Sequence, residues 1–195
     1  MGFFSLILGY LLGSIPSGWL AGRWLKGIDL RELGSGSTGA TNVLRQVGKG
    51  PALVVFLIDV GKGAAAVLLA RAFGQSDWIQ VLAGLTALAG HIWPVWLNFK
   101  GGKAVATGFG MFLGLAWPVG LASFGVFLLT LWLFRIVSLS SVLAAVSLPL
   151  LMIRFSGIGS YILIALVAMG LVLWRHRSNL SRILEGSEPK VGQQD

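Results

Sequence analysis

An all-α integral membrane protein, a single bundle of apolar helices, is the fold the sequence predicts, on three observations. Hydrophobic residues make up 55% of the 195-residue chain and charged residues only 11%, less than half of the roughly 25% in an ordinary soluble domain. With a mean hydropathy of +0.83, the chain cannot clothe a water-facing surface, so a soluble globular protein is excluded. Apolar stretches near the 20 residues needed to cross about 30 Å of hydrocarbon recur from end to end. Glycine, at 28 residues, is about twice its usual share of roughly 7%, which suits membrane helices that approach backbone to backbone.

Taken in order, the apolar stretches predict spans near 2–22, 51–72, 78–97, 104–117, 119–134, 141–153 and 158–174. Met1 to Tyr10 has no basic leader, so the first stretch reads as a retained span rather than a signal peptide. Residues 104–134 would overshoot the bilayer as one helix at about 1.5 Å per residue, and Trp117-Pro118 offers a break. Basic residues settle the count. With the N-terminus outside, Arg23, Lys26, Arg31, Arg45 and Lys49 fall in the first cytoplasmic loop. Lys100 and Lys103 fall in the second, Arg135 in the third, and Arg175, Arg177, Arg182 and Lys190 in the tail. Seven transmembrane helices, N-terminus outside and C-terminus cytoplasmic, place most of the 15 basic residues inside. Fusing 104–134 would send the basic tail outside. One membrane-embedded domain over 1–188 is expected, followed by a polar, disordered tail over 189–195.

Composition also limits the chemistry. Without cysteine there is no disulfide, thiolate nucleophile or cysteine zinc site. Two histidines and seven scattered acids give no metal cluster, so no metal is expected. The net charge of +8 reports orientation first and a preference for anionic ligands second; nucleic acid is not an expected partner.

Three polar, glycine-rich segments would share the cytoplasmic face. The first runs Gly34-Ser35-Gly36-Ser37-Thr38-Gly39-Ala40-Thr41-Asn42-Val43-Leu44-Arg45. It satisfies G-x-G-x-x-G, but a dinucleotide site needs a preceding strand, and Ala40 stands where a P-loop needs lysine. What survives is the shared physics. Glycines allow close backbone approach, amides and hydroxyls donate to an anion, and Arg45 could grip a phosphate in two places. The alternative is a polar turn with an orienting arginine. In the second segment, His91 to Thr107, Lys100-Gly101-Gly102-Lys103 precedes a helix and reads as another anion cradle, with amides from both glycines and charge from Lys103. A lone imidazole in a span, His91, is a functional candidate by default; a histidine bonded between helices is the bland alternative. The third, His176 to Glu188, could simply lie on anionic lipid, although Asn179 offers donors and acceptors to a polyol. Asp59 and Lys62, at i and i+3, can pair on one helix face. Ser138, Ser140 and Ser141, near the third loop, add hydroxyls.

Together these segments, GSG..GATNVLR, H..PV.L.FKGGK.VAT and HR.NL.R.L.G.E, resemble the bacterial membrane acyltransferase family that makes lysophosphatidate from acyl phosphate and glycerol 3-phosphate in phospholipid biosynthesis. The likeness runs along most of the chain. This sequence has Ser37-Thr38 where the family usually has Asn-Pro, and Ala104 where it usually has glycine, a change expected to be tolerated in a helix. The resemblance implies seven helices around a cytoplasm-facing groove in the bacterial inner membrane, with no cofactor, metal, acyl-CoA or acyl carrier protein. Residue by residue, it implies phosphate contacts from Ser35, Arg45 and Lys103, with backbone donors from Gly101 and Gly102. Thr41, Asn42, Ser141, Arg177 and Glu188 are implied as further substrate-binding positions. His91 and Asn179 are implied to orient the glycerol hydroxyl and, with Ser35, to form the catalytic set. The residues agree with direct attack on a mixed anhydride. The rival reading, a transporter for a phosphorylated or other anionic solute, fits the basic groups but needs polar groups on both faces.

Overall fold

The computed structural model describes residues 1–192, all helix, turn and loop with no strand among them. The chain forms two compact units, Met1–Leu115 and Ala116–Asp195.

The first unit contains α1 (Gly2–Ser14), α2 (Ser17–Lys26), α3 (Ala40–Gln46), α4 (Lys49–Ala72), α5 (Asp77–Ile92) and α6 (Val105–Leu115). The expected first span is one apolar stretch, Gly2–Lys26, whose helix is interrupted at Pro16. Pro16 has no N–H to donate and biases Ile15 away from helical geometry, so Ile15 takes φ −56° and ψ 115°. The Ile15 carbonyl accepts instead from the Ser17 amide at 3.0 Å. Helix α1 packs on α5 through glycines: a Cβ at Gly13 would overlap the Ala87 carbonyl, and one at Gly90 the Tyr10 carbonyl. Helices α4 and α6 meet in the same way at Gly63, against Thr107, and at Gly110, against Val60. Such approach is how helices associate where lipid removes the hydrophobic drive. Around these contacts Ala66, Val67, Ala83, Ala87, Met111 and Phe112 are buried.

Pro94 does not kink α5 as a helix of 78–97 would require. The helix ends at Ile92, and a 3-10 turn, Val95–Leu97, follows. The stretch 104–134 breaks as expected, with Ala116 extended at φ −151° and ψ 87°.

The second unit contains α7 (Trp117–Phe134), α8 (Val137–Phe155), α9 (Gly159–Arg175) and α10 (Arg177–Leu184). In α7 the buried positions are Val119, Gly120 and Ser123, while Leu128, Leu129, Trp132 and Leu133 are exposed, as on a lipid-facing surface. Helix α8 starts at Val137, four residues before the expected span, which shortens the third loop. The Ser141 hydroxyl then bonds back to the Val137 carbonyl at 2.8 Å. Of the tail expected to be disordered, Val191 donates its N–H to the Arg135 carbonyl at 2.7 Å, and residues 193–195 lie outside the described residues.

Five helical stretches are long and apolar enough to cross a membrane, and a sixth if α9 and α10, bent by 60°, count as one span. Helix α6, at 11 residues, rises only about 16 Å.

Candidate functional site

In the first unit the loop from Ile28 to Gly39 is shaped by one buried side chain. The Asn42 amide nitrogen faces the carbonyls of Leu30 and Leu33 at 3.0 Å and of Ser37 at 2.9 Å, and its oxygen accepts from the Ser35 amide at 3.3 Å. Asn42 is 1% exposed, so its polar atoms are spent on holding this loop. Gly34, at φ +57°, supplies the left-handed turn, and a side chain there would collide with the Asn42 oxygen. The Ser37 hydroxyl accepts from the Gly39 amide at 3.4 Å, a side-chain turn of the kind asparagine also makes. Ser35 and Arg45 stand exposed, and Thr41 is half-buried.

Arg31 ties this loop to the second segment. It pairs with Asp29 and donates to the Leu97 carbonyl at 3.2 Å. Bonding to Arg31 outweighs the effect of burial and holds the Asp29 carboxyl well below the usual range, while Asp29 in turn raises the Arg31 guanidinium. Both stay charged near neutrality.

The second segment folds back on the end of α5. The Gly101 and Gly102 amides donate to the carbonyls of Ile92 and His91, both at 3.1 Å. These amides are therefore not open anion donors, as a cradle would require. Both glycines serve approach instead: a Cβ at Gly101 would overlap the His91 carbonyl, and one at Gly102 the His91 Nε2. Lys103 is half-buried. Ala104 lies outside α6 at φ +58°, a strained position for alanine, so its tolerance does not come from helical geometry.

His91 is buried at the centre of a cluster that sequence reasoning largely missed. Its Nδ1 lies 3.1 Å from the Thr107 hydroxyl and 3.7 Å from Asp59 Oδ1. The same Asp59 oxygen accepts from the Ser17 hydroxyl at 2.7 Å and pairs with Lys62 Nζ at 2.8 Å. Lys62 also donates to the Ile15 carbonyl at the helix break, at 3.1 Å. The i, i+3 spacing of Asp59 and Lys62 announced their pairing; the roles of Ser17 and Thr107 had no signal beyond a proline before one and a helix start before the other. Beside this cluster lies a small cleft lined by Ser14, Ser17, Thr38, Lys62, His91 and Pro94 among others.

In the second unit Glu188 organises the third segment. Its Oε1 accepts from the Ser138 hydroxyl at 2.7 Å and the Asn179 amide at 2.6 Å, and its Oε2 from Arg182 at 2.8 Å. Burial pushes the Glu188 carboxyl up, but the three hydrogen bonds and the Arg182 charge outweigh it and leave it below its ordinary value. Glu188 thus holds Asn179, and Ser138, in the first turn of α8, is the hydroxyl that takes part. The Ser141 hydroxyl donates to the Val137 carbonyl within α8. Arg177, exposed, donates to the Trp174 carbonyl and lies 5.4 Å over its ring.

Fold and site define a class: a polytopic helical membrane protein with hydroxyl- and base-bearing loops beside an intramembrane acid–base cluster. A family model, glycerol-3-phosphate acyltransferase, matches residues 3–186. The chain belongs to that family and is an integral membrane acyltransferase. It is 75% identical over 188 residues to the glycerol-3-phosphate acyltransferase of Parasynechococcus marenigrum (strain WH8102), covering 96% of this chain and 89% of the relative. It is 70% identical over 192 residues to that of Prochlorococcus marinus (strain MIT 9313), covering 97% and 94%. Among solved structures it resembles PlsY (YgiH), an integral membrane glycerol 3-phosphate acyltransferase. The glycerol 3-phosphate form matches with a TM-score of 0.92 at 40% identity, covering 98% of this chain and 96% of that one. The lysphosphatidic acid form matches at 0.90 and 39%, covering 98% and 95%.

Proposed function

We propose that the chain transfers the acyl group of an acyl phosphate to the 1-hydroxyl of sn-glycerol 3-phosphate, yielding lysophosphatidate and inorganic phosphate. The observation that carries this reading is the meeting of the first two polar segments at one end of the first unit, joined by Arg31 and Leu97, in a member of this family. The glycerol oxygen attacks the acyl carbonyl carbon; that C–O bond forms, the C–O bond to phosphate breaks, and phosphate leaves with the electron pair. The hydroxyl proton passes to His91 or to a phosphate oxygen. Phosphate is a good leaving group, so no covalent enzyme intermediate is needed. Holding both reactants in register supplies about 7–11 kcal/mol of the barrier.

In this reading Ser35, Arg45 and Lys103 bind phosphate, drawing on exposed hydroxyl and basic groups. Thr41 adds a hydroxyl to the first loop. His91 and Asn179 orient the attacking hydroxyl, and Glu188 holds Asn179 in place. The reading also takes seven membrane crossings, with the N-terminus outside and all three polar segments on the cytoplasmic side of the bacterial inner membrane. Support comes from the distribution of basic residues and from a count that adds α6 and α9 to the five longer apolar stretches. No acyl-CoA, acyl carrier protein or metal takes part in the steps above.

The test is a purified preparation given acyl phosphate and glycerol 3-phosphate. Phosphate and lysophosphatidate should appear in equal amounts, with no product from acyl-CoA. Exchange of glycerol 3-phosphate across liposomes without turnover would favour the transporter.

A further inference from the structure

A buried ion pair among membrane helices is costly and is weak evidence for stability, since apolar residues often replace one without loss. Asp59 and Lys62 are 1% and 5% exposed, and helices α4 and α6 are already locked through Gly63 and Gly110. The pair is therefore not needed to bring those helices together. What it does is join three elements at one imidazole. Lys62 is fixed by the Ile15 carbonyl at the broken first span, Asp59 by Lys62 and by the Ser17 hydroxyl that opens α2. The fixed Asp59 oxygen then lies 3.7 Å from His91 Nδ1, on the edge of the ring that also meets Thr107. The other edge, Nε2, lies against Gly102 in the Lys-Gly-Gly-Lys loop.

We propose that Asp59, held by Lys62 and Ser17, is a positioning residue that keeps a proton on Nδ1 of His91, so that the ring acts through Nε2, on the side of the Gly101-Gly102 loop. A fixed negative charge beside Nδ1 favours a hydrogen there over a lone pair, and the hydrogen bond at one ring nitrogen decides the state of the other. Thr107, which can donate or accept, then accepts from Nδ1. The break at Pro16 gains a purpose: it exposes the carbonyl that anchors Lys62. This inference rests on His91 acting in the proposed reaction, but its main readout does not.

The experiment uses the full chain with 15N-labelled histidine, in which His91 and His176 are the two imidazoles, assigned with His176→Gln. In the wild type the His91 nitrogen shifts should show Nδ1 protonated. Asp59→Asn leaves Lys62 unpaired and can fail to fold, so Asp59→Asn/Lys62→Met, which removes both charges, is measured beside it. In the double variant the Nδ1 proton should be lost to Nε2, and kcat should fall about 10–100-fold while KM for glycerol 3-phosphate stays within about threefold. A wild-type ring protonated on Nε2 alone, or a folded double variant with unchanged shifts and kcat, overturns the inference. Should the wild type release no phosphate from acyl phosphate, the proposed function fails while the nitrogen shifts still decide the role of Asp59.

Discussion

The two units of this molecule hold themselves together by different means. In Met1–Leu115 the helices are locked through their backbones: Gly13, Gly63, Gly90 and Gly110 each sit where a Cβ would overlap a facing carbonyl. In Ala116–Asp195 three helical glycines, Gly125, Gly159 and Gly170, face open space, Gly120 is buried in α7, and Glu188 gathers three side-chain hydrogen bonds. The lesson is about tolerance. A backbone lock fixes neighbours to fractions of an ångström and accepts no added atom, which suits a buried His91 that must be aimed. A carboxylate hub gives weaker, pH-sensitive order, which suits a polar segment at a helix end.

That contrast breaks first at the glycines. Gly110→Ala should lower stability by about 2–3 kcal/mol through overpacking, whereas Gly170→Ala should be neutral or stabilise by up to about 1 kcal/mol through helix propensity. Thermal unfolding in detergent checks both, and equal effects would erase the distinction. Next comes Asn42→Ala, which leaves the Leu30, Leu33 and Ser37 carbonyls without their donor; a loss of about 2 kcal/mol is expected, together with faster proteolysis of the loop over residues 30–39.

The counterpart in the second unit, Glu188→Gln, should cost about 1–2 kcal/mol. It should also remove an acid transition. Because the Glu188 carboxyl sits below its ordinary value, its contribution is present above the usual glutamate range and is lost as pH falls through that lowered value. A pH series of unfolding temperatures on wild type and variant should converge at the acid end. The smallest effect is a gain: Ala104→Gly, relieving φ +58°, should stabilise by about 0.5–1 kcal/mol after the entropy cost of glycine.

Much of this was legible in the sequence. Composition alone gave the membrane class, the break before Pro118 was visible, and Asp59 and Lys62 pair as their spacing implied. The break at Pro16 was overlooked because the apolar run continues through it. Hydropathy also cannot say where a glycine's missing side chain is needed, so Gly101 and Gly102 read as anion donors when their amides were already taken by His91 and Ile92. Ala104 looked helical because Val105 is. The cluster around His91 draws Ser17, Asp59, Lys62 and Thr107 from three helices, and no local pattern joins residues so far apart.

The central proposal is that all three polar segments face the cytoplasmic side of the membrane. The chain has no cysteine, so Ser35→Cys, Lys100→Cys and Ser187→Cys each introduce a unique thiol at an exposed position. Reaction with a membrane-impermeant maleimide in right-side-out and inverted vesicles measures the side directly. All three should react in inverted vesicles only; reaction of any one from the opposite side to the others would contradict the account.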